Sequence, residues 1–219
     1  MLYSLQDVTY KDILQIEELQ IPQNRITCIF GESGAGKSTL LKLLNNLISA
    51  DQGSILYKGT DIEELNPVEL RRKIVMLPQI PLIFEGSLKD NLLIGLHFAE
   101  KSLTSEEALY SVLDFVNLHK SLDDDAKDLS GGEKQRLSLA RTLLLDPDVF
   151  LFDEPSASLD EKTEKWVLDR VSEDIKNKNK NLIVVTHSKA VVNQYAEVTI
   201  ELVKGRLKAV KEKQVNARE

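Results

Sequence analysis

The chain has 219 residues, of which 42% are hydrophobic, and a formal charge of −7. This length and composition suit one globular domain, and the negative charge gives no support for broad nucleic-acid binding, so we expect no nucleic-acid partner. Cys28 is the only cysteine, which excludes an internal disulfide. We expect no signal peptide, and no apolar run approaches the roughly 20 residues of a membrane helix. If the protein works at a membrane, we expect another chain to cross it.

Short runs of alternating apolar and polar residues predict strands near the N-terminus. They comprise residues 3–8, residues 19–21 and, between two glycines, residues 53–59. A short link, either helical or extended, precedes residue 19. We expect these strands to form a small antiparallel sheet beside the main core.

Residues 31–39, with the sequence GESGAGKST, fit the phosphate-loop pattern G-x-x-x-x-G-K-[ST]. The apolar, β-branched run at 25–30 predicts a buried strand before the loop, and the spacing of apolar residues in 40–48 predicts a helix after it. Strand, glycine loop and helix is the arrangement that a phosphate site requires. The alternative is a glycine-rich turn before an ordinary helix.

The residue types of this phosphate loop suit a polyphosphate and a divalent cation. Its glycines let the backbone wrap closely around phosphates, and its last amides would point inward at the helix N-terminus. Lys37 adds a cation for the β- and γ-phosphates, and the Ser38 hydroxyl is placed to bind Mg²⁺. The predicted binding residues are Gly31, Ser33, Gly34, Ala35, Gly36, Lys37, Ser38 and Thr39.

Helices and strands alternate through the rest of the chain. Asn66-Pro67 predicts a capped helix start, and Ser130 opens another helix. Further predicted segments are a strand at 73–77, a helical region from 88 to about 127, a strand at 149–152, a helix at 161–176, a strand at 182–186, and a hairpin at 197–209 that turns at Lys204-Gly205. We expect the charged tail from Val210 to be frayed.

This alternation indicates an α/β core with a parallel sheet. Ligands of such sheets bind beyond the carboxyl ends of the strands, where Gly31, Gln79, Asp153 and His187 fall. Four apolar residues followed by Asp153-Glu154 match a Walker B pattern, in which Asp153 can bind Mg²⁺ and Glu154 can polarise a water for attack on the γ-phosphorus. The alternative is a surface acidic pair at the end of a strand.

The segment Leu129-Ser130-Gly131-Gly132-Glu133 places a serine cap and two glycines at a helix N-terminus. Such a terminus can form a second anion site, and the alternative is an ordinary capped helix. The segment resembles the signature Leu-Ser-Gly-Gly-Gln/Glu of the ATP-binding cassette (ABC) family. The order phosphate loop, Gln79, signature, Walker B and His187 extends the resemblance over almost the whole chain.

The resemblance implies the P-loop NTPase fold of ABC ATPases within a single domain, residues 1–219. That fold has a nucleotide-binding core with a parallel sheet and a small antiparallel β-subdomain, and an inserted α-helical subdomain. We expect the core to comprise residues 1–86 and 136–219, and the helical subdomain to comprise residues 87–135.

The resemblance also implies roles for single residues, with ATP and Mg²⁺ as cofactors and a second copy of this chain as a partner. Two copies would face each other head to tail, and ATP would bind between the phosphate loop of one and Ser130, Gly131 and Gly132 of the other. Gln79 would lie near the attacking water and, with Ser38 and Asp153, near Mg²⁺. His187 would hydrogen-bond the γ-phosphate and orient Glu154. The catalytic residues would be Glu154, His187 and Gln79.

Two of these roles have plain alternatives. Tyr10 lies where the family places an aromatic ring that stacks on adenine, and the alternative is a sheet tyrosine. For His187 the alternative is a strand-end histidine held by backbone bonds. Residues 156–160, with the sequence SASLD, depart from the family's usual Ser/Thr-Ser-Ala-Leu-Asp by shifting a hydroxyl one position.

The resemblance implies the ATP-hydrolysing subunit of a membrane transporter. Such a subunit would be cytoplasmic, bound at the inner face of the cell membrane through a separate permease, and the groove near Gln79 would receive a permease helix. Residues 81–91 resemble export-type cassettes. The alternative is a soluble cassette ATPase that acts on DNA or ribosomes, although the interval from 39 to 129 lacks the sustained heptads of DNA-maintenance members.

Overall fold

The computed structural model describes residues 1–213. The strands are β1 (Tyr3–Tyr10), β2 (Leu14–Ile21), β3 (Ile26–Phe30), β4 (Gln52–Tyr57), β5 (Thr60–Asp61), β6 (Ile74–Leu77), β7 (Val149–Asp153), β8 (Asn181–Thr186), β9 (Val198–Val203) and β10 (Arg206–Glu212). The helices are α1 (Lys37–Leu44), α2 (Pro67–Lys73), α3 (Leu88–Phe98), α4 (Glu106–Phe115), α5 (Gly131–Leu144), α6 (Glu161–Asn177) and α7 (Lys189–Tyr195), with a 3₁₀ turn at Ala126–Asp128.

One sheet connects all of these strands, in the order β5-β4-β1-β2-β10-β9-β3-β8-β7-β6. Strands β9, β3, β8, β7 and β6 run parallel, with Cys28 opposite Val184 in the β3–β8 register. On the other side, β5, β4, β1 and β2 are antiparallel to one another. They join the core through β10, which is antiparallel to β9 and pairs in parallel with β2 where Arg206 lies opposite Gln15. The predicted α/β class, with a parallel sheet and an antiparallel β-region, is therefore confirmed.

Two hydrophobic clusters lie on opposite faces of this sheet. One includes Leu40 and Leu44 of α1 packed with strands β1 and β2. The other combines Leu92 of α3 and Leu113 of α4 with Phe150 of β7 and residues of α6. Because the helices at 88–115 share this second cluster with the sheet, their packing fixes them to the parallel strands rather than to a core of their own.

Two local predictions, a helix cap and a hairpin turn, are confirmed by the structure. The Asn66 side chain accepts from Val68 N at 2.9 Å, and Pro67 opens α2, as a capped helix start requires. The chain also turns at Lys204-Gly205, between β9 and β10. None of the helices in residues 1–213 is long and apolar enough to cross a membrane.

The link before residue 19, for which a helical and an extended conformation were both open, is extended. It is part of a strand that starts at Leu14, because β1 provides it with an antiparallel partner. Other segments differ from their sequence-based predictions. Helix α7 was not predicted, since its seven residues offer little apolar periodicity. Residues 210–212, which we expected to fray, pair with β9 as the end of β10. The remainder of that predicted tail, from residue 214, lies outside the described residues.

Candidate functional site

The phosphate loop connects the end of β3 to the start of α1. Gly34 and Gly36 have φ values of 77° and 89°, in the left-handed region that favours glycine. The buried Lys37 turns back into the loop, where its Nζ donates to Gly31 O at 2.8 Å and to Glu32 O at 2.9 Å. The ammonium is therefore fixed inside the curve of the loop by two backbone carbonyls.

Neighbouring parallel strands bring the other predicted residues to this loop. Gln79 follows β6, Glu154 follows β7 and His187 follows β8, all at the carboxyl end of the sheet. They line one open cavity of about 710 Å³ together with the loop. The lining residues are Ile13, Glu32, Ser33, Gly34, Ala35, Gly36, Lys37, Ser38, Thr39, Gln79, Glu154, Val185 and His187.

Glu154 and His187 contact each other directly in this cavity. His187 Nδ1 lies 3.0 Å from both carboxylate oxygens of Glu154. The Glu154 side chain is only 12% exposed, whereas that of His187 is 73% exposed. The Glu154 backbone is left-handed, with φ at 48°, and its amide donates to Val185 O at 3.1 Å. A carboxylate whose direction is fixed by an imidazole and a backbone bond can accept a proton from, or orient, a water in the cavity.

Asp153 lies behind the cavity wall, at the buried end of β7. The Ser38 hydroxyl donates to Asp153 Oδ1 at 2.9 Å. Burial raises the pKa of Asp153, and the Ser38 hydrogen bond opposes this shift. A hydroxyl and a carboxylate so close together are the oxygen ligands that Mg²⁺ prefers, so this pair fits the predicted ion.

The signature residues lie at the start of α5, away from this cavity. Ser130 Oγ accepts from Glu133 N at 3.3 Å, and the Glu133 carboxylate accepts from Ser130 N at 2.8 Å, which closes a capping box. The Ser130 amide bond is the main reason that the pKa of Glu133 is lowered. A Cβ on Gly132 would lie 2.9 Å from Ser158 O, so a larger residue would not fit there. Ser130, Gly131 and Gly132 are not among the described residues that line the cavity of the phosphate loop.

Tyr10 lies beside the cavity but does not line it. Its carbonyl accepts from the Ile13 amide at 3.1 Å, and Lys11 Nζ lies 5.1 Å from its ring centroid. Ile13 does line the cavity and is 43% exposed. Sequence reasoning missed Ile13 and Val185, because an apolar residue beside a strand has no pattern that separates a cavity wall from a core.

The sequence of the chain is similar to those of known proteins. Residues 14–157 match the family model described as ABC transporter. The chain is 35% identical to Protein STAR1 of rice over 90% of this chain and 57% of that protein, so it spans little more than half of that relative. It is 33% identical to ABC transporter I family member 17 of Arabidopsis thaliana, over 89% of this chain and 74% of that protein.

Solved structures give the same result. An ATP-bound exporter of the bacterial Atm1 family matches with a TM-score of 0.86 and 26% identity, over 96% of this chain and 38% of that one. A dimeric bacterial ABC transporter cassette matches with a TM-score of 0.84 and 26% identity, over 96% of this chain and 98% of that one. On its sequence and its fold, the chain belongs to the ABC transporter family.

Proposed function

We propose that the chain is the ATP-binding and ATP-hydrolysing subunit of an ABC transporter and that it drives a separate membrane-spanning permease. The observation that supports this most directly is the contact of Glu154 with His187 beside the phosphate loop. A phosphate-binding loop alone would suit many nucleotide-binding proteins. A largely buried carboxylate, oriented by histidine in the same cavity, adds the group that hydrolysis needs.

The proposed mechanism assigns each group one task. Amides of the phosphate loop bind the phosphates at the N-terminus of α1, and Lys37 neutralises their charge. Ser38 and Asp153 would hold Mg²⁺ with Gln79 beside them, and the ion would neutralise charge on the phosphate oxygens. Glu154 accepts the proton of the attacking water, and His187 keeps the carboxylate directed at it.

The second half of the site would come from another copy of the chain. The capped start of α5 presents the exposed hydroxyl of Ser130 and the backbone amides of Gly131 and Gly132. In a head-to-tail dimer these groups would bind the γ-phosphate held by the partner's phosphate loop. We propose the division expected above, with core residues 1–86 and 136–219 and helical residues 87–135, although α5 itself continues across residue 135.

A second cavity suits the proposed permease. This apolar groove, of about 430 Å³, includes Val68 of α2, Leu82 and Phe84 of the loop after Gln79, and Phe98 of α3. Leu82 and Phe98 are 57% and 64% exposed, which is unusual for large apolar side chains. We propose that a short helix of the permease binds in this apolar groove, with its apolar side against these residues.

Arg141 connects the apolar groove to the loop after Gln79 and to helix α5. Its Nη2 donates to Leu82 O at 2.5 Å, and its guanidinium lies 5.1 Å from the Phe84 ring centroid. Burial lowers the pKa of Arg141 to about 10, so the group stays charged at neutral pH. Because Arg141 belongs to α5, a helix bound in the groove would contact both the loop after Gln79 and the helix that begins with the signature.

The names of relatives agree with this assignment. Two of them, the lactococcin-A transport/processing protein LcnC and the transport/processing protein ComA, are named as transport ATP-binding proteins. Another is the phosphate import ATP-binding protein PstB 3. Attachment of this chain to a permease would place it at the inner, cytoplasmic face of the cell membrane.

Hydrolysis can be tested with the purified chain. We expect phosphate release from ATP that requires Mg²⁺. Lys37→Ala should abolish ATP binding, because it removes the cation inside the phosphate loop. Lys42→Ala is the matched control, since Lys42 is an exposed lysine further along the same helix and should leave binding unchanged. Equal effects of the two substitutions would contradict the proposed site.

The partner can be tested by recovery from membranes of the protein's own cells. We expect the tagged chain to recover a multi-spanning membrane protein. Phe98→Glu should weaken this recovery, because it places a charge in the apolar groove. Leu103→Glu, at a residue that is 70% exposed and outside the groove, should not. Recovery of ribosomes or DNA in place of a membrane protein would favour the alternative function.

A further inference from the structure

The chain contains two hairpin turns of the same sequence and geometry. The first is Lys58-Gly59, between β4 and β5, and the second is Lys204-Gly205, between β9 and β10. In both turns both residues have positive φ: 50° and 89° in the first, 48° and 75° in the second. These are two-residue turns of the type that suits the twist of a hairpin. Turn formation alone therefore explains the glycine in both places.

The surroundings of the two glycines differ completely. A Cβ on Gly59 would have no heavy atom within 4 Å. A Cβ on Gly205 would lie 2.1 Å from Ile13 O and 3.4 Å from Leu14 Cα. Gly205 thus allows the C-terminal turn to approach the backbone at the start of β2, which the turn geometry by itself does not require.

That approach places the turn directly against the phosphate loop. Gly205 N donates to Ala35 O at 3.2 Å, and Gly205 O accepts from Gln15 N at 2.7 Å. The turn therefore bridges the loop and β2. Ala35 precedes Gly36, the residue that caps α1 in a left-handed conformation.

The strand before the turn approaches the loop as well. A Cβ on Gly31 would lie 2.3 Å from Leu202 O of β9. A Cβ on Gly36 would lie 3.2 Å from Ile13 O and 3.7 Å from Gly205 Cα. The first glycine of the phosphate loop thus packs against β9, and its last glycine packs against Ile13 and the Lys204-Gly205 turn.

We infer that the Lys204-Gly205 turn positions the phosphate loop for ATP, with Gly205 as a positioning residue that acts through Ala35 and Gly36. The inference rests on the proposed function. It adds to the nucleotide site a turn that lies far from the phosphate loop in the sequence. Loop amides bind phosphates well only if they already point inward, because ordering a mobile loop at the moment of binding reduces affinity. A backbone bond to Ala35 O restricts the loop in that way.

The test compares Gly205→Ala with Gly59→Ala in the purified full chain. Both substitutions place a Cβ at positive φ, so both carry the same kind of turn strain. We measure the dissociation constant of a fluorescent ATP analogue, relative to folded protein, and the thermal midpoint. Gly205→Ala should weaken binding about tenfold or more, since small displacements of binding groups have large effects. Gly59→Ala should leave the dissociation constant unchanged.

A purely structural role would give a different result. Gly205→Ala would then lower the thermal midpoint and the yield of folded protein, but the folded fraction would bind the analogue as wild type does, and the inference would be overturned. Failure of wild type itself to bind ATP would overturn the proposed function and this inference together. Normal binding by wild type with equal constants for both variants would overturn the inference alone.

A second measurement needs no variant and applies even if Gly205→Ala does not fold. Hydrogen exchange of the wild-type chain is followed with and without ATP at the two turns, residues 57–60 and 203–206. ATP should slow exchange at the second turn, because ordering of the phosphate loop stabilises the Gly205–Ala35 bond. The first turn serves as the internal control. Identical behaviour of the two turns would contradict the inference.

Discussion

The cavity at the phosphate loop and the start of α5 are both polar sites, yet they are built differently. At the cavity, residues after three separate strands converge on the loop, and Glu154 is bonded to His187, a residue from another strand. At the start of α5, Ser130 exchanges hydrogen bonds with Glu133, and its carbonyl accepts from Lys134 N, so all of these bonds lie within the first turn of one helix. The first site is organised by the whole sheet, and the second is organised locally.

This difference indicates what each site lacks. In the proposed function the cavity supplies groups for the phosphates, the metal ion and the attacking water, but it is open to solvent. The start of α5 has a helix terminus with an exposed hydroxyl. Among the described residues, however, those of this terminus do not line the cavity of the phosphate loop. Each site could supply what the other lacks, which is the physical basis for proposing a head-to-tail dimer.

The largest effect should come from Glu154→Gln, which removes the proton acceptor and keeps the shape of the side chain. We expect turnover to fall about 10²–10⁴-fold, as for loss of a general base, with ATP still bound. The measurement is phosphate release at saturating MgATP, with nucleotide binding measured in parallel. If turnover is unchanged, the cavity is not the catalytic half of the site.

A large effect is also expected from Ser130→Arg, which tests the start of α5 as the second half of the proposed dimeric site. The substitution should lower turnover about 10²-fold, because it removes a donor for the γ-phosphate and adds bulk at the dimer interface. ATP binding to the monomer should survive, since Ser130 does not line the cavity. Turnover and single-chain ATP binding are measured separately.

The matched control for this substitution is Ser105→Arg. Ser105 is also an exposed helix cap, and it accepts from Ala108 N at the start of α4. Both substitutions remove a serine cap, at a cost of about 1 kcal/mol in stability. Only the Ser130 substitution should affect turnover. Equal losses in both variants, or loss of ATP binding by Ser130→Arg, would contradict a role of the signature in the partner's site.

A smaller effect on turnover is expected from Asp153→Asn, together with a change in thermal stability that depends on pH. Burial raises the pKa of Asp153 in the folded chain. Between the ordinary carboxyl pKa and the raised value, the folded state therefore binds more protons than the unfolded state. The contribution of Asp153 to stability falls as pH rises through this range. The neutral amide of the variant has no charge to desolvate, and its oxygen can still accept from Ser38 Oγ.

We therefore expect the nucleotide-free Asp153→Asn variant to melt above wild type at neutral pH, with the difference shrinking in acid. The same variant should need about tenfold or more Mg²⁺ for turnover, because a carboxylate ligand is lost. Asp123→Asn, at an exposed carboxylate, is the control and should change neither property. A melting difference that grows in acid would contradict the assigned direction of the pKa shift.

The two sites also differ in how far the sequence predicted them. Residues 31–39 and 129–133 are contiguous, so their pattern alone predicted a loop before α1 and a cap before α5, and both elements are present. The convergence of Gln79, Glu154 and His187 followed from a general rule about parallel strands. Local pattern and sheet topology were thus enough to predict the polar residues Gln79, Glu154 and His187 of the cavity, but not the apolar Ile13 and Val185.

Contacts made through the backbone could not be predicted in this way. Nothing in the sequence near Gly205 indicates that its amide bonds to Ala35, because the two residues are far apart and a Lys-Gly turn occurs twice. The strand at Leu14–Ile21 was only partly predicted, since its first half depends on pairing with β1. Sequence patterns indicate which side chains are buried. They do not indicate which backbone carbonyls and amides form hydrogen bonds between segments that are distant in the sequence.

The smallest expected effect belongs to Tyr10, which, like Gly31, is a predicted binding residue that does not line the cavity in the structure. If its ring stacks on adenine, Tyr10→Ala should weaken ATP binding about two- to tenfold, the usual range for one aromatic contact. Tyr10→Phe is the matched control and should bind as wild type does, because stacking needs the ring and not the hydroxyl. Inorganic triphosphate should bind all three proteins equally, since it has no base to stack. If Tyr10→Ala weakens triphosphate as much as ATP, the ring supports Ile13 and the cavity wall instead of the adenine.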